Sequence, residues 1–376
     1  MAARSTEPET ARPLLVVHDT DLAEEISRLA AASGGELERA PRLLPTAWRT
    51  APLVLLDEST ATAARALPRR RGVALLCRRT GERVWRTAFD VGAERVLTLP
   101  DDERELIELL ADAADGPEGE GRVLAVLGGC GGAGASALAT ATSVAAARAG
   151  GRSLLVDCDP LGGGLDLATG LEREDGLRWS GLSVGAGRLG AGTLRRALPR
   201  KRVGAGEVAV LACDRDRASS GLTPEGVRAV LGAGRRAGAT VVCDLPRCPA
   251  PGDPDEPVLG DAELAVVVVP AEVRACAAAA RVVAAVTERA GCPVRLVVRG
   301  PAPGGLRPRD VARAAGAAVL TTMRPQPRLA AALDRGDLVS ALRRGPLATA
   351  AGAVLAELAA AQPPSPRSIP ALPAPF

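Results

Sequence analysis

The chain has 376 residues, with 47 Lys+Arg against 44 Asp+Glu, and a net charge of +3 gives no reason to expect a general polyanion binder. Only one of the basic residues is a lysine, Lys201, the single histidine is His18, and tyrosine and asparagine are absent. One histidine excludes an H-E-x-x-H zinc site, five aromatics (3 Trp, 2 Phe) are too few for a single-strand stacking platform, and any lysine chemistry must use Lys201 or do without.

After a polar start over residues 1–12, short apolar runs alternate with longer amphipathic stretches. The pattern predicts strands at Leu14–Val17, Leu53–Leu56, Val73–Cys77 and Val96–Leu99. It predicts helices at Asp21–Ala32, ending at Ala88–Val91, and at Arg104–Ala114. That order over about 100 residues implies a parallel sheet covered on both faces. Asp115–Gly121 (DGPEGEG) reads as a linker, which sets a first domain at 13–115, a linker at 116–121 and a second domain at 122–361.

The second domain opens on the strand Arg122–Leu127, a glycine-rich loop and the helix Ser136–Ala149, stopped by Gly150-Gly151. Strands are predicted at Ser153–Val156, Glu207–Ala212, Ala239–Cys243, Leu264–Val269, Val294–Val298 and Ala318–Leu320. Helices are predicted at Thr223–Ala237, Ala271–Ala290, near Pro308–Ala315 and at Leu347–Ala361. The repeated β-α order calls for a doubly wound sheet. The tail 362–376 is Pro-rich and unsuited to a packed core. The eight cysteines are scattered without a C-x-x-C pair, mostly in apolar runs. With no signal peptide and no apolar run of membrane-spanning length, they imply a reduced, cytoplasmic setting. A Ser-His-Asp relay would need His18, which has no candidate nucleophile beside it in the sequence.

Gly128–Ser136 reads GGCGGAGAS between a strand and a helix, the context a phosphate-binding loop requires. Glycines let successive N–H groups turn toward an anion, and the helix N-terminus adds partial positive charge. Downstream, strands end in Asp157-Cys158-Asp159-Pro160-Leu161-Gly162-Gly163 and in Asp244-Leu245-Pro246. Carboxylates at strand carboxyl ends face the ligand crevice of such sheets, where they can hold Mg²⁺ or its waters and orient an attacking water.

These elements, with Arg328–Gly336 (RLAAALDRG), resemble the MinD/ParA branch of P-loop ATPases. Within it, the chain is similar to CpaE/TadZ-type proteins with a receiver-like N-terminal domain. Leu296–Leu306 and Met323–Arg328 look most like the actinobacterial septum-site-determining group, Ssd. The resemblance spans roughly residues 13–360. It implies an α/β chain: a receiver-like (flavodoxin-like) domain followed by a P-loop NTPase-like, doubly wound, mostly parallel sheet. It also implies nucleotide contacts from Gly131, Gly132, Ala133, Gly134, Ala135, Ser136 and Ala137. Mg²⁺ would be held near Ser136, Asp157 and Asp244, with Asp159 and Asp244 acting in hydrolysis if the chain is active.

The family's loop has the form K-G-G-x-G-K-[ST]. Here Cys130 stands in place of the first lysine and Ala135 in place of the second. In active members these lysines meet the phosphates and, across a dimer, the partner's nucleotide. An ammonium about 4 Å from a phosphate charge contributes roughly 4 kcal/mol at an effective dielectric near 20, up to roughly a thousandfold in affinity before screening. ATP or ADP with Mg²⁺ is therefore expected to bind weakly, with little or no hydrolysis. Three readings stay open: a loop kept only as a tight turn, binding without turnover, and true turnover. In the receiver-like domain, Asp57 ends its strand where a phosphoacceptor would sit, and Asp19 and Asp21 follow the first strand. Leu99-Pro100 replaces the expected Lys-Pro, so Asp57 reads as a vestigial phosphoacceptor.

Arginine clusters (Arg69-Arg70-Arg71, Arg78-Arg79, Arg195-Arg196, Arg200-Lys201-Arg202, Arg235-Arg236, Arg343-Arg344) are interspersed with acids. They read as solvated faces rather than a primary DNA patch. The last helix lacks lysine and arginine, which argues against a membrane anchor like that of MinD. The implied role is a regulator of septum placement that works through protein partners, forms a homodimer and is recruited to septum or pole. The alternatives are an active dimeric ATPase localising a Flp/Tad-type pilus machine and a ParA-like DNA partition factor.

Overall fold

The computed structural model describes residues 12–32, 36–70, 72–114, 121–182, 189–215, 221–247 and 252–361. The predicted Pro-rich tail and all of the predicted linker except Gly121 lie outside the described residues. The chain divides into two compact units, Met1–Gly119 with Ala186–Arg196, and Glu120–Gly185 with Ala197–Phe376.

The first unit runs β1 (Leu14–Val16), α1 (Thr20–Ala32), β2 (Glu38–Arg39), α2 (Pro45–Thr50), β3 (Val54–Leu56), α3 (Glu58–Ala64), β4 (Val73–Cys77), α4 (Glu82–Val91), β5 (Arg95–Thr98) and α5 (Glu103–Ala114). Its strands pair in parallel in the order β2-β1-β3-β4-β5. This is the flavodoxin-like order expected of a receiver-like domain. Strands β1, β3 and β4 are buried throughout because both faces are covered. The period-2 alternation sorts their side chains: Leu14, Val16, Val54, Leu56 and Leu75 pack with Trp48, Val84 and Val91. Leu15, Leu55 and Leu76 pack on the other face with Leu22, Ile26, Leu106 and Leu110.

The second unit begins with β6 (Arg122–Gly128), α6 (Ala135–Arg148), β7 (Arg152–Asp157) and α7 (Leu165–Thr169). After α8 (Ala191–Ala197), which falls mostly in the Ala186–Arg196 segment, come β8 (Arg200–Val203), β9 (Gly206–Leu211), α9 (Pro224–Arg236), β10 (Thr240–Asp244), α10 (Glu256–Asp261) and β11 (Leu264–Pro270). The chain continues with α11 (Val273–Arg289), β12 (Val294–Arg299), α12 (Pro308–Ala315), β13 (Ala318–Met323), α13 (Leu329–Asp334), α14 (Leu338–Ala341) and α15 (Pro346–Ala360).

The eight strands pair in the order β13-β12-β11-β6-β10-β7-β9-β8, in parallel except for β8 against β9. Sequence pattern does not reveal the antiparallel edge strand, because Arg200-Lys201-Arg202 reads as a charge cluster rather than a strand. Charge on an edge strand protects its open side. The strand predicted at Ala318–Leu320 extends to Met323. Helix α6 is buried almost all round by small residues from Ala137 to Ala147, and Leu347, Ala350, Val354 and Leu358 of α15 share its core. Thr140 and Thr142 satisfy their hydroxyls on the carbonyls of Ser136 and Leu138, both at 2.8 Å.

Candidate functional site

The loop leaves β6 at the centre of the sheet, between β11 and β10. Gly129 N–H donates to the Val268 carbonyl at 2.9 Å, and a Cβ at Gly129 would stand 2.7 Å from Ala279 Cβ. The first turn of the loop therefore lies hard against β11 and α11, and only glycine fits there. Gly132 (φ 68°) and Gly134 (φ 98°) take left-handed conformations that side chains resist. Gly134 caps α6 without a side-chain hydrogen bond, which leaves the first-turn N–H groups without helical partners. Gly131, Gly132 and Ser136 are exposed, Gly134 and Ala135 half-buried, and Ala133 and Ala137 turn into the core. No atom lies within 4 Å of where a Gly132 Cβ would be, so the mouth of the cradle is open.

Two arginines from distant strand ends stand at this loop. Arg299, the last residue of β12, donates from Nη1 to the Gly132 carbonyl at 2.9 Å, and a Cβ at Gly134 would lie 3.4 Å from the same nitrogen. Arg247, three residues beyond β10, brings its Nη1 to 3.9 Å from the Cβ position of Gly131. Neither was singled out from the sequence, which directs attention to the lysine positions inside the loop.

The predicted acids divide into two roles. Asp157 and Asp244 end neighbouring strands and are paired in register. Asp157 accepts from the N–H groups of Asp159 (3.2 Å), Leu165 (3.1 Å) and Cys213 (3.4 Å), and so frames the turn after β7. Burial pushes its carboxyl up to about 6 against those hydrogen bonds. Asp159 is half-buried and accepts from Leu161 N–H at 3.0 Å, closing its own turn. Asp244 is buried and receives the Ser136 hydroxyl. Burial, reinforced by the neighbouring Asp157 and Asp159, lifts it to about 7 against that hydrogen bond. Ser136 beside Asp244 is an all-oxygen pair suited to Mg²⁺. Among the described residues no three His, Cys, Asp or Glu side chains gather to hold a metal by themselves. A cation here would need phosphate or water oxygens to complete its shell.

In the first unit, Asp57 is tied into a helix cap. Its carboxylate accepts from the N–H groups of Thr60 (2.8 Å) and His18 (2.7 Å) and from the hydroxyls of Ser59 (2.7 Å) and Thr60 (2.8 Å). Burial would raise its pKa, but these hydrogen bonds outweigh burial and hold it below the usual range. Asp19 is likewise engaged, accepting from Leu22 N–H at 3.0 Å. Leu99, which precedes Pro100 at the end of β5, is buried in the core. His18, without a candidate nucleophile beside it in the sequence, has a hydroxyl beside it in space, with Ser59 Oγ 3.2 Å from its Nδ1. The fold closes a separation of 41 residues that sequence proximity cannot show. The wiring is not a nucleophile relay, because Ser59 gives its proton to Asp57 and the other ring nitrogen of His18 faces the Pro41 carbonyl at 3.3 Å.

Several arginine clusters are split between structural tasks. Arg70 binds the carbonyls of Trp48 and Ala51, Arg78 pairs with Glu25, and Arg235 pairs with Glu263. Lys201 Nζ donates to the Thr169 carbonyl at 3.2 Å, at the end of α7. It belongs to that helix end and is no substitute for a loop lysine. No helix among the described residues is long and apolar enough to cross a membrane.

A family described as "Rv3660c-like, CheY-like N-terminal domain" matches residues 16–121. The uncharacterized protein Rv3660c of Mycobacterium tuberculosis H37Rv is 44% identical over 352 residues, covering 90% of this chain and 96% of that protein. Protein MT3760 of strain CDC 1551 matches to the same extent. Among solved structures, a ParA family ATPase from Chlorobium tepidum superposes with a TM-score of 0.53 at 13% identity, covering 61% of this chain and 96% of that one. At that identity the likeness establishes the ParA-type fold of the second unit.

Proposed function

The chain belongs to the family of Mycobacterium tuberculosis Rv3660c, and we propose that it is a regulator of division-site placement whose ParA-type unit binds a nucleotide with Mg²⁺ weakly and hydrolyses it little or not at all. The observation that carries this reading is a cradle kept in shape without its lysines. The left-handed glycines, the uncapped first turn of α6 and the Ser136–Asp244 pair are all retained, while Cys130 and Ala135 occupy the lysine positions. A nucleotide bound there supplies a polyphosphate and an adenine face. The residues of this chain contribute N–H donors from the loop, oxygens from Ser136 and Asp244, and a turn framed by Asp157 and Asp159. Without a loop lysine, the charge that develops in phosphoryl transfer lacks its usual positioned cation, which argues for binding over turnover. The first unit, with Asp57 committed to a cap, serves as an interaction domain, and the chain works in the cytoplasm through protein partners or a second copy that bring it to septum or pole.

Titration of the full chain with a fluorescent ATP analogue and Mg²⁺ is expected to give weak saturable binding without steady phosphate release. Micromolar affinity with continuous release would overturn the pseudo-ATPase reading. Septum spacing in cells depleted of the protein is the cellular readout, and unchanged spacing would remove the division role.

A further inference from the structure

We infer that Arg247 and Arg299 supply the positive charge for a nucleoside di- or triphosphate held at Gly128–Ser136, replacing from outside the loop the lysines missing within it. This rests on the nucleotide-binding reading above and adds to it the residues that recognise the phosphates beyond the first.

The two guanidinium groups approach along the sheet from opposite sides, since β12 and β10 flank β6 in the strand order, with β11 between β12 and β6. Both come close to the loop: a Cβ at Gly131 would lie 3.9 Å from Arg247 Nη1, and one at Gly134 would lie 3.4 Å from Arg299 Nη1. The Arg299 bond to the Gly132 carbonyl uses one of its five N–H donors. The rest of the planar fork can take a phosphate in bidentate fashion, which a lysine cannot.

Neither arginine has an acidic partner at this loop. Some arginines of this unit are matched to carboxylates, Arg178 and Arg215 to Asp166, Arg235 to Glu263, and Arg295 to Glu357, while Arg122 and Arg148 donate to backbone carbonyls. Arg247 and Arg299 have no carboxylate partner among the described residues, and their place sets them apart: both lie against the loop that leads into the uncapped first turn of α6. Two unmatched cations at an open glycine cradle suit a ligand carrying more than one phosphate.

The test is calorimetric titration of the full chain with Mg²⁺ and either ADP or AMP. It compares the unaltered protein with Arg247→Ala, Arg299→Ala, the double variant and Arg247→Lys. The unaltered chain is expected to prefer ADP. Each alanine variant should weaken ADP about tenfold, the value of one charge-assisted contact, with AMP nearly unmoved, and Arg247→Lys, which restores the charge without the fork, should recover part of the loss. Arg247 makes no hydrogen bond or ion pair among the described residues, so its alanine variant carries little risk to folding; thermal melting checks Arg299→Ala. If the unaltered chain prefers ADP and both variants keep that preference, the inference fails while nucleotide binding stands. Equal weakening of ADP and AMP also overturns it, since the arginines would then only shape the loop. Absence of binding to either nucleotide overturns both readings.

Discussion

At the scale of single residues, Asp57 shows how a position that resembles a phosphoacceptor is used for stability. Its carboxylate closes a reciprocal cap with Thr60 at the start of α3 and also takes the N–H of His18 from the end of β1. Asp57→Ala removes the cap acceptor and strands buried donors, which should cost about 1–2 kcal/mol in urea unfolding at pH 7. The folded pKa lies below the usual 3.8, so this contribution is present above that value and is lost as the pH falls through the folded pKa. The gap between the two proteins should therefore narrow in acid. Incubation with acetyl phosphate should leave the unaltered chain unlabelled, because the oxygens a phosphoryl donor would need are engaged in the cap; stable labelling of Asp57 would contradict this account.

At the scale of elements, the strand–loop–helix formed by β6, Gly129–Gly134 and α6 carries the cradle, and its lysines can be put back. Ala135 is half-buried at the first helical position and Cys130 half-buried in the loop, both packed at the margin of the core, so in Cys130→Lys with Ala135→Lys each new side chain has to extend out of that core. Tighter binding of the ATP analogue, by about tenfold or more, is expected if the loop keeps its geometry; no gain would mean that the cradle has lost its shape. This element is legible in the sequence because strand, glycine run and small-residue helix are contiguous, and the buried apolar runs of β4, β6 after Arg122, and β11 are legible for the same reason. Strand β2 was not, since Glu38 and Arg39 are both exposed and carry no apolar pattern. Helix α2 buries only Trp48, and α7 spans five residues. Arg247 and Arg299 escaped for a deeper reason: strand order brings them to the loop from positions more than a hundred residues away, and no local spacing encodes that order.

At the scale of the whole molecule, the second unit carries a cost at the ends of β7 and β10 that the proposed site would explain. Asp157 and Asp244 are buried side by side and raised to about 6 and about 7 from 3.8. A carboxyl raised on folding leaves the native state holding more protons than the unfolded chain between the two pKa values, so stability falls as the pH rises across that window and levels off above it. Asp244 thus penalises the fold from about pH 4 upward, in full above about pH 7. Asp244→Asn retains an acceptor for Ser136 but does not ionise. The variant and the unaltered chain should unfold at similar urea concentrations near pH 4. At pH 8 the variant should be the more stable by on the order of 2–4 kcal/mol, from about 1.4 kcal/mol per pKa unit. Equal midpoints at pH 8 would mean that Asp244 ionises there without penalty, and would remove the physical basis for reading the ends of β7 and β10 as a place prepared for positive charge. A lower midpoint for the asparagine variant at both pH values would instead give Asp244 an ordinary structural role, held by its hydrogen bond with Ser136.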